Sequence, residues 1–341
     1  MSGNMTDRKL VTIRTIKDIK PIDNADNIEV AVVDGWECVV KKGEFKVGDE
    51  VFYFEIDSAL PVDREEFSFL ESSGVKDIGS RSYHILRTRR LRGVYSQGLL
   101  LSYDKYPEFR AGTDDPTEFF EVLKWETPIP AELHSRVRDK FPIHLVLKTD
   151  AERVQNFTDE EFDILAQNFW YPSEKVDGTS TTYIVEEGGV RVCSRNWELI
   201  PEDTLTQVKV GKEAGIWDLE PGYIIQGEVY GEGIQKNPLR IQGQRLAVFN
   251  VFFKGRQLPL LHWPKELEGH HAPVLDDLSF PGSVGEAVDQ VDGLGSQIAP
   301  GRLAEGVVWH SPNISELGRA VLGGRACFKA INNKYLSKQK D

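Results

Sequence analysis

The chain has 341 residues, of which 40% are apolar and 28% charged, an ordinary composition for a globular protein. At about 150 residues per domain, this length predicts two domains, each long enough to bury a core of its own. The formal net charge of −13 argues against a protein that coats nucleic acid by its bulk charge.

The cysteines, the histidines and the lack of long apolar runs indicate the redox state and the location of the protein. The three cysteines lie far apart and form no CxxC, so we expect reduced thiols. The seven histidines include no H-E-x-x-H, and we expect no structural zinc. The segment MSGNMTDRKL lacks the apolar core of a signal peptide, and no apolar run approaches a membrane span. We therefore expect a soluble intracellular protein, with cytoplasm and nucleus not distinguished.

The first part of the chain is typical of a small β structure. Short segments rich in Val, Ile and aromatic residues are separated by turn residues at 21–24, 34–35 and 47–49. The segments are LVTIRTI, NIEVAVV, WECVV, EVFYFEI, SYHILRTRRLRGV and QGLLLSY. They fit a small barrel, and an OB-type barrel is one option beside other barrels and a sandwich.

One N-terminal segment, RSYHILRTRRLR at residues 81–92, is basic and contains no acid. Its candidates for nucleic-acid contacts are Arg87, Arg89, Arg90 and Arg92. Alternate arginines of a strand share one face, which can turn towards phosphates. Equally, such charge can protect an exposed edge strand from pairing. We predict a nucleic-acid contact here and keep the edge-strand interpretation open.

An irregular stretch separates the two predicted domains. Residues 103–145 mix Asp, Glu, Pro and Gly in no periodic order. We predict a first domain at residues 1–125, a linker at residues 126–145 and a second domain at residues 146–341.

The second domain is predicted to be α+β. Capping-box spacings, in which Thr is followed three residues later by Glu, predict helix starts at Thr149 and Thr158. The second start opens a helix whose apolar residues are Phe162, Leu165, Ala166 and Phe169. Strand-like segments follow: STTYIVEE, GVRVCS, GYIIQGEVYG, RLAVFNVFF, AEGVVWH and RACFKAI. We expect them to form a mainly antiparallel sheet.

The segment SEKVDG contains one lysine, Lys175, followed by Asp177 and Gly178. On its own, Lys-x-Asp-Gly indicates no more than a turn after a solvated lysine. Further blocks follow in order: Ser194-Arg195-Asn196, Gly227-Glu228, Phe249-Asn250, Glu305-Gly306-Val307-Val308 and Phe328-Lys329-Ala330-Ile331-Asn332. Together the blocks, over about residues 148–336, resemble the motifs of the covalent nucleotidyltransferases, the superfamily of ATP-dependent ligases and capping enzymes.

The resemblance implies that Lys175 attacks the α-phosphorus of ATP and becomes a lysyl-AMP adduct. This attack requires an unprotonated amine, although a free lysine has a pKa of about 10.4. Positive charge from Mg²⁺ or Mn²⁺ and from Lys329 disfavours the ammonium form. Arg195 and Lys329 also suit the negative charge that gathers on the phosphate oxygens.

The resemblance assigns further residues to the nucleotide and the metal ion. Mg²⁺ prefers oxygen ligands, for which Asp177, Glu228 and Glu305 are the candidates. Asp177 can instead touch the ribose or orient Lys175, and Glu228 can also serve the ribose. Phe249 offers a flat face to adenine, and Gly178 permits close approach of the backbone to the nucleotide. The other implied nucleotide contacts are Glu174, Lys148 and Arg153.

The order of the predicted domains indicates which group of nucleotidyltransferases the chain resembles. Residues 19–61 resemble the N-terminal OB module of a small group of RNA ligases, and residues 147–157 resemble the segment before their nucleophile. Only a short segment follows Lys329, so we do not expect the C-terminal OB-like domain of DNA ligases and capping enzymes. The implied fold is an N-terminal OB-type β-barrel followed by an adenylyltransferase domain with antiparallel sheets.

The implied protein is a monomeric, ATP-dependent RNA ligase that seals 3′-OH and 5′-phosphate ends at nicks in duplexes. Its intermediates are lysyl-AMP and an adenylylated 5′ end. The alternatives are a DNA nick ligase or RNA guanylyltransferase with the same core, and a non-catalytic nucleic-acid-binding protein with a degenerate pocket. One departure from related ligases is Ile331, where a second lysine is frequent; Lys334 and Lys148 are the candidate replacements.

The site residues also have plainer interpretations when they are taken one at a time. A glutamate at a strand end is usually solvated, and Phe249 in an apolar strand is more often part of the core. Arg195 can cap a hairpin, and Lys329 can face water. The order of the blocks favours the nucleotidyltransferase interpretation over these.

Overall fold

The computed structural model describes residues 9–70, 74–125 and 135–338. By their internal contacts, the residues divide into two compact units, Met1–Pro128 and Ile129–Asp341. Among the described residues, no helix is long and apolar enough to cross a membrane.

The first unit is mainly β structure. Its described strands are β1 (Val11–Thr15), β2 (Asp18–Pro21), β3 (Ile28–Val33), β4 (Trp36–Lys41), β5 (Glu50–Phe54), β6 (Ser58–Pro61), β7 (Val75–Ile78), β8 (Arg81–Ile85), β9 (Arg89–Leu91), β10 (Val94–Ser96), β11 (Leu99–Ser102) and β12 (Leu123–Lys124). Its described helical elements are the 3₁₀ helices Glu65–Leu70 and Tyr103–Lys105 and the short helix α1 (Pro116–Phe119).

Strand β5 lies at the centre of the first unit. It pairs antiparallel with both β1 and β11. Because side chains alternate along a strand, Phe52 and Phe54 pack in one apolar cluster, while Val51 and Tyr53 pack in another. The meander β2-β3-β4 contributes to the second cluster, and β6, from the sheet β12-β6-β8-β7, contributes to the first. A strand buried on both faces therefore organises the two layers of this unit.

The second unit contains two sheets and several short helices. Its described strands are β13 (Val137–Lys140), β14 (Glu152–Arg153), β15 (Tyr171–Lys175), β16 (Thr179–Glu186), β17 (Gly189–Cys193), β18 (Trp197–Leu199), β19 (Tyr223–Gly231), β20 (Gln244–Phe253), β21 (Arg256–Gln257), β22 (Gly306–His310) and β23 (Cys327–Ile331). Its described helices are α2 (Asp159–Ala166), α3 (Thr206–Glu213), α4 (Val284–Val291), α5 (Glu316–Val321) and α6 (Asn333–Lys338), with 3₁₀ helices Val154–Asn156, Ile216–Asp218, Leu260–His262 and Lys265–Leu267.

A short segment of backbone, residues 270–273, connects the two sheets of the second unit. The larger sheet is antiparallel, in the order β13-β18-β17-β16-β19-β20-β21. The smaller one has the order β14-β23-β22-β15, with β14 parallel to β23. Between them, the amide of Val248 in β20 donates to the His270 carbonyl, and the amide of Glu174 in β15 donates to the Pro273 carbonyl. The predicted α+β class with mainly antiparallel sheets is confirmed.

Helix α2 begins at the predicted residue but ends earlier than predicted. The Thr158 hydroxyl accepts from the Glu161 amide, while the Glu161 carboxylate accepts from the Thr158 amide, so the capping box is confirmed. The helix ends at Ala166, and Phe169, which the spacing placed on its apolar face, is 83% exposed.

The helix start predicted at Thr149 is wrong. The Thr149 hydroxyl forms a hydrogen bond with the Ser180 hydroxyl at 2.6 Å instead of capping a helix. The Glu152 carboxylate accepts from the Asn156 side chain, and the chain forms β14 and then a 3₁₀ helix.

The predicted linker contains a strand of the second unit. Within residues 126–145, β13 pairs antiparallel with β18, so this part of the chain is an edge strand rather than a connection. Residues 126–134 of the predicted linker lie outside the described residues. The three cysteines are buried, unpaired thiols.

Candidate active site

One face of the smaller sheet carries most of the candidate residues. In register, Lys175 lies opposite Gly306, and Gly306 lies opposite Ile331, while Val308 lies opposite Lys329. Since side chains alternate along each strand, these residues share a face. The other face carries Val307, Trp309, Phe328 and Ala330, which pack in the apolar core with α2 and α4. The sheet thus has one core face and one face with polar groups.

Lys175 lies in a strongly acidic environment at the end of β15. Its Nζ donates to Glu305 Oε2 at 2.7 Å, and the two side chains are 24% and 18% exposed. Burial alone would lower the pKa of Lys175, but the charges of Glu305, Glu228 and Asp177 outweigh it and raise that pKa above its usual value. In this state Lys175 is held as an ammonium ion.

Glu228 has a partly buried carboxyl group with both positive and negative charges near it. Burial raises its pKa to about 8; the nearby Lys175 charge opposes that rise, and Glu305 and Asp177 add to it. The charges of Arg195 and Lys329 also reach this group, since Arg195 lowers the pKa of Glu228 and Lys329 lowers that of Glu305. Among the described residues, no three His, Cys, Asp or Glu side chains converge tightly enough to share one metal ion.

Two glycines let strands approach closely beside Lys175. A Cβ at Gly178 would lie 2.2 Å from the Val229 carbonyl oxygen, and one at Gly306 would lie 2.2 Å from the Ala330 carbonyl oxygen. Gly178 was predicted to give room to a nucleotide. In the structure it gives room to the backbone of β19, which carries Glu228.

The predicted phosphate-binding cations lie in two groups. Arg153 of β14 lies beside Lys329 of β23 in parallel register and is 8% exposed. At the turn between β17 and β18, Arg195 forms an ion pair with Asp150, and Lys148 donates to the Asn196 side-chain oxygen at 2.8 Å. Contacts across this turn therefore hold the segment around residue 148 against it.

The position of the missing second lysine is apolar and buried. Ile331 is 4% exposed and shares its face with Lys329. Lys334, one candidate replacement, instead forms an ion pair with Asp292 at 2.9 Å. Lys148, the other candidate, donates to the Asn196 side-chain oxygen, and a replacement for the lysine at 331 stays a prediction.

Phe249 occupies a β-bulge. Opposite β19, Asn250 pairs with Gln226 and Val248 pairs with Gly227, so Phe249 is an extra residue on β20. Val248 packs in the core of the larger sheet, and Val248 and Phe249 both line a small pocket. Other residues that line the pocket include Tyr171, Ser173, Trp263, His271 and His310.

Glu174, predicted to contact the nucleotide, has its carboxylate occupied elsewhere. The Ser296 hydroxyl donates to it at 2.5 Å, and the Gln297 and Ile298 amides donate at 2.7 and 3.3 Å. Burial raises its pKa, and these hydrogen bonds oppose that rise. As the neighbour of Lys175 in a strand, Glu174 points to the opposite face and anchors the loop at residues 296–298.

Tyr335 is a residue of the site that the sequence motifs did not single out. Its hydroxyl donates to Asp177 Oδ2 at 2.5 Å, and its side chain is 6% exposed. It lies on α6, immediately after the block that contains Lys329. A buried tyrosine needs a partner for its hydroxyl, but sequence alone does not reveal a partner 158 residues away.

The basic segment of the first unit forms the hairpin β9–β10. Arg92 and Gly93 make its turn with φ of 48° and 89°, and all residues of β9 are exposed. The Arg90 guanidinium lies 5.6 Å from the centre of the Tyr95 ring. Arg87 precedes the hairpin and is also exposed. The hairpin therefore presents cations and an aromatic ring together.

Comparison with known proteins identifies both parts of the chain. A family model described as an OB-fold domain matches residues 10–103, and one described as RNA ligase matches residues 168–331. No match was found among curated protein sequences.

Solved structures of Naegleria gruberi RNA ligase are similar to almost the whole chain. A substituted variant with AMP and Mn is 35% identical, with a TM-score of 0.84 over 98% of this chain and 100% of that one. A variant with ATP and Mn is 34% identical, with a TM-score of 0.82 over 97% and 99%. The ligase with PPi is 34% identical, with a TM-score of 0.83 over 98% and 100%.

These matches confirm the predicted OB-type module and the predicted ligase core. The chain therefore belongs to the family of RNA ligases in which an OB-fold domain precedes the ligase domain.

Proposed function

We propose that this RNA ligase uses ATP and a divalent metal ion to join 3′-OH and 5′-phosphate RNA ends, with Lys175 as the residue that carries AMP. The observation that carries the proposal is the position of Lys175, a single amine among three carboxylates at the end of a strand. The similar Naegleria enzyme has been solved with ATP, AMP and PPi, which are the reactant and products of this chemistry.

The chemistry of the site suits Mg²⁺ or Mn²⁺. Asp177, Glu228 and Glu305 supply oxygen donors, and a bound cation would favour the ionised form of Glu228, whose pKa is raised to about 8. One or more of these three carboxylates would hold the ion together with the phosphates of ATP. When bound, the ion supplies positive charge that lowers the pKa of the Lys175 ammonium and offsets charge on the phosphates.

Three displacements complete the reaction. The Lys175 amine, after losing a proton to solvent, bonds to the α-phosphorus of ATP as the bond to pyrophosphate breaks. An oxygen of the RNA 5′-phosphate then takes AMP from Lys175, which frees the amine. Finally the 3′-hydroxyl attacks the 5′-phosphorus, forms the phosphodiester and expels AMP.

The cations and the pocket have matching roles in this scheme. Lys329 and Arg153 lie side by side on the face of Lys175 and are suited to hold phosphate oxygens. Arg195 and Lys148 lie at one turn, where they can exchange their present partners for the phosphates of ATP. Phe249 lies at a small pocket with other aromatic side chains and is the ring that we propose for stacking of adenine.

Nicks in duplexes are the proposed substrate. The hairpin β9–β10 offers exposed arginines to phosphates and the Arg90–Tyr95 pair to a base or backbone. The proposed enzyme acts as a monomer that requires RNA on the 3′-OH side of the break, where a 2′-hydroxyl is available for recognition.

Adduct formation is the first test. Incubation with α-labelled ATP and Mg²⁺ or Mn²⁺, followed by a denaturing gel, should label the wild type and leave Lys175→Ala unlabelled. Lys209→Ala, which removes an exposed lysine of α3, should label like the wild type. Label from GTP and none from ATP would identify a guanylyltransferase instead.

Sealing of defined breaks is the second test. Nicked duplexes with RNA and DNA exchanged on the 3′-OH side, the 5′-phosphate side and the template should be sealed only with RNA at the 3′-OH end. Lys175→Ala should still seal a pre-adenylylated strand, because that step does not use the amine. Equal sealing of all-DNA nicks contradicts the RNA preference, and no adduct with either nucleotide indicates a non-catalytic protein.

A further inference from the structure

Asn332 fixes the start of α6 relative to the loops around Glu305. Its side chain is fully buried at 0% exposure, and its Nδ2 donates to the carbonyls of Ala304 and Leu294 at 3.0 and 3.3 Å. Its Oδ1 accepts from the Gly293 amide at 3.1 Å and from the Tyr335 amide at 3.3 Å. One side-chain amide therefore forms hydrogen bonds with the backbone of the first turn of α6 and of two loops.

The backbone of Asn332 adds a direct link to the site. Its amide donates to the Glu305 carbonyl at 2.9 Å, so the end of β23 and the start of β22 are tied together. Helix α6 leaves this point with its first turn fixed, and Tyr335 lies in that turn. The position of the Tyr335 ring is thereby set by the strand that carries Lys329.

The Tyr335 hydroxyl meets Asp177 at the end of this chain of contacts. It donates to Asp177 Oδ2 at 2.5 Å, with the tyrosine 6% exposed. A hydrogen bond to an ionised carboxylate is shorter and stronger than a neutral one. A carboxylate whose Oδ2 accepts such a bond has its plane fixed, and its Oδ1 is presented in one orientation.

From these contacts we infer that Tyr335 is a positioning residue for lysyl-AMP formation, which it supports by fixing the Asp177 carboxylate beside Lys175. This role rests on the proposed function of the same site. Asp177 lies two residues after the nucleophile and contributes to its electrostatic environment. A carboxylate that turns freely would meet the nucleotide or the metal ion in several orientations, of which few are productive.

The test compares two tyrosines whose hydroxyls both form a buried hydrogen bond. Tyr335→Phe removes the hydrogen bond to Asp177. Tyr183→Phe removes a hydrogen bond of 2.7 Å from the Tyr183 hydroxyl to the Gln207 carbonyl, within the apolar core of the larger sheet. We expect Tyr335→Phe to lower the rate of adduct formation at saturating ATP by about 10- to 100-fold. The KM for ATP should change less than about threefold, and Tyr183→Phe should keep the wild-type rate.

Binding and coupling measurements separate positioning from folding. In the Lys175→Ala background, calorimetry should give the same affinity for ATP with Mn²⁺, within about threefold, with and without Tyr335→Phe. In the Asp177→Ala background, Tyr335→Phe should have no further effect on the rate, because Tyr335 acts through that carboxylate.

Three results overturn the inference. They are a Tyr335→Phe rate within about threefold of the wild type, an equal loss in Tyr183→Phe, and a full additional loss in the Asp177→Ala background. Wild-type protein that forms no adduct with ATP overturns the proposed function itself, and this role with it. Adduct formation by the wild type with an unaffected Tyr335→Phe variant overturns the role of Tyr335 alone.

Discussion

Backbone carbonyls, rather than side chains, define the narrowest contacts beside Lys175. Gly178 follows the lysine closely and lies against the Val229 carbonyl, and Gly306 lies directly opposite the lysine and against the Ala330 carbonyl. Neither glycine has the positive φ that would require it on conformational grounds, so the requirement is space. The contact of Gly178 brings the backbone that follows Lys175 against the strand that carries Glu228.

Gly178→Ala should therefore damage the site without a loss of any functional group. The added methyl meets the Val229 carbonyl, and the backbone must move, at a cost of about 1–3 kcal/mol in the free energy of unfolding. We expect adduct formation to fall by at least about tenfold, because Lys175 moves with the backbone. Denaturant unfolding and labelled-ATP assays measure the two effects.

Gly188→Ala is the matched control for this substitution. Gly188 lies in the turn between β16 and β17, and no atom lies within 4 Å of its added methyl. This variant should match the wild type in both assays. Wild-type adduct formation by Gly178→Ala would show that the contact with Val229 does not position Lys175.

Residue types and their order predicted Lys175 and Glu305 as members of one site, and the structure brings the two side chains within 2.7 Å of each other. The role of Glu174 was not predicted, although the period of two along a strand already places it on the opposite face from Lys175. Tyr335 was missed because its partner is distant in sequence. Side-chain partners of this kind depend on the tertiary structure.

At the scale of elements, the bulge in β20 places Phe249 and Val251 on different faces of the sheet. Without it, Phe249 and Val251 would share a face by simple alternation. The extra residue changes the register, and so Val251 packs in the core while Phe249 lines the pocket. The sequence LAVFNVFF shows no sign of this, because a bulge is a property of the pair of strands.

Phe249→Ala should weaken ATP binding more than it slows the chemical step. Stacking of a base on an aromatic ring contributes about 1–3 kcal/mol, which corresponds to a rise in KM for ATP of about tenfold. Phe253→Ala is the control, since Phe253 lies in the same strand and packs against Tyr223 with ring centres 4.5 Å apart. Single-turnover adduct formation over a range of ATP concentrations gives both parameters. An unchanged KM in Phe249→Ala contradicts the stacking role.

The two capping-box spacings show where local sequence stops predicting an element. Thr158 and Thr149 have the same spacing to a glutamate, yet only Thr158 caps a helix. Thr149 differs because its hydroxyl forms a hydrogen bond with the hydroxyl of Ser180 in β16. The strands were predicted well because their apolar alternation is local, whereas their pairing and the strand within the predicted linker depend on distant partners.

For the whole molecule, net charge and local charge point to different conclusions. The chain carries a net charge of −13, while the exposed β9–β10 hairpin is locally basic. Excess negative charge elsewhere repels nucleic acid, so binding confined to a basic patch is expected to be sensitive to salt. The hairpin belongs to the first unit, and the residues around Lys175 belong to the second.

Substitution of the hairpin should separate RNA binding from adduct formation. Arg90→Ala with Arg92→Ala should raise the KM for nicked RNA and reduce the salt dependence of binding by about one unit of slope per arginine. Adduct formation with ATP should stay at the wild-type rate. Arg110→Ala, an exposed arginine outside the hairpin, is the control and should change neither. Wild-type sealing and salt dependence would favour the interpretation of β9 as a protected edge strand.

The ion pair between Lys175 and Glu305 also bears on chemical selectivity before any nucleotide is bound. An ammonium ion has no lone pair, so a lysine held in this form does not react with the aldehydes, acyl phosphates and cyanate that modify free amines. The carboxylates that make the site attractive to a cation thus protect the nucleophile from the wrong electrophiles. In the proposed reaction, a cation that arrives with ATP would compete for those carboxylates and so release the amine for reaction.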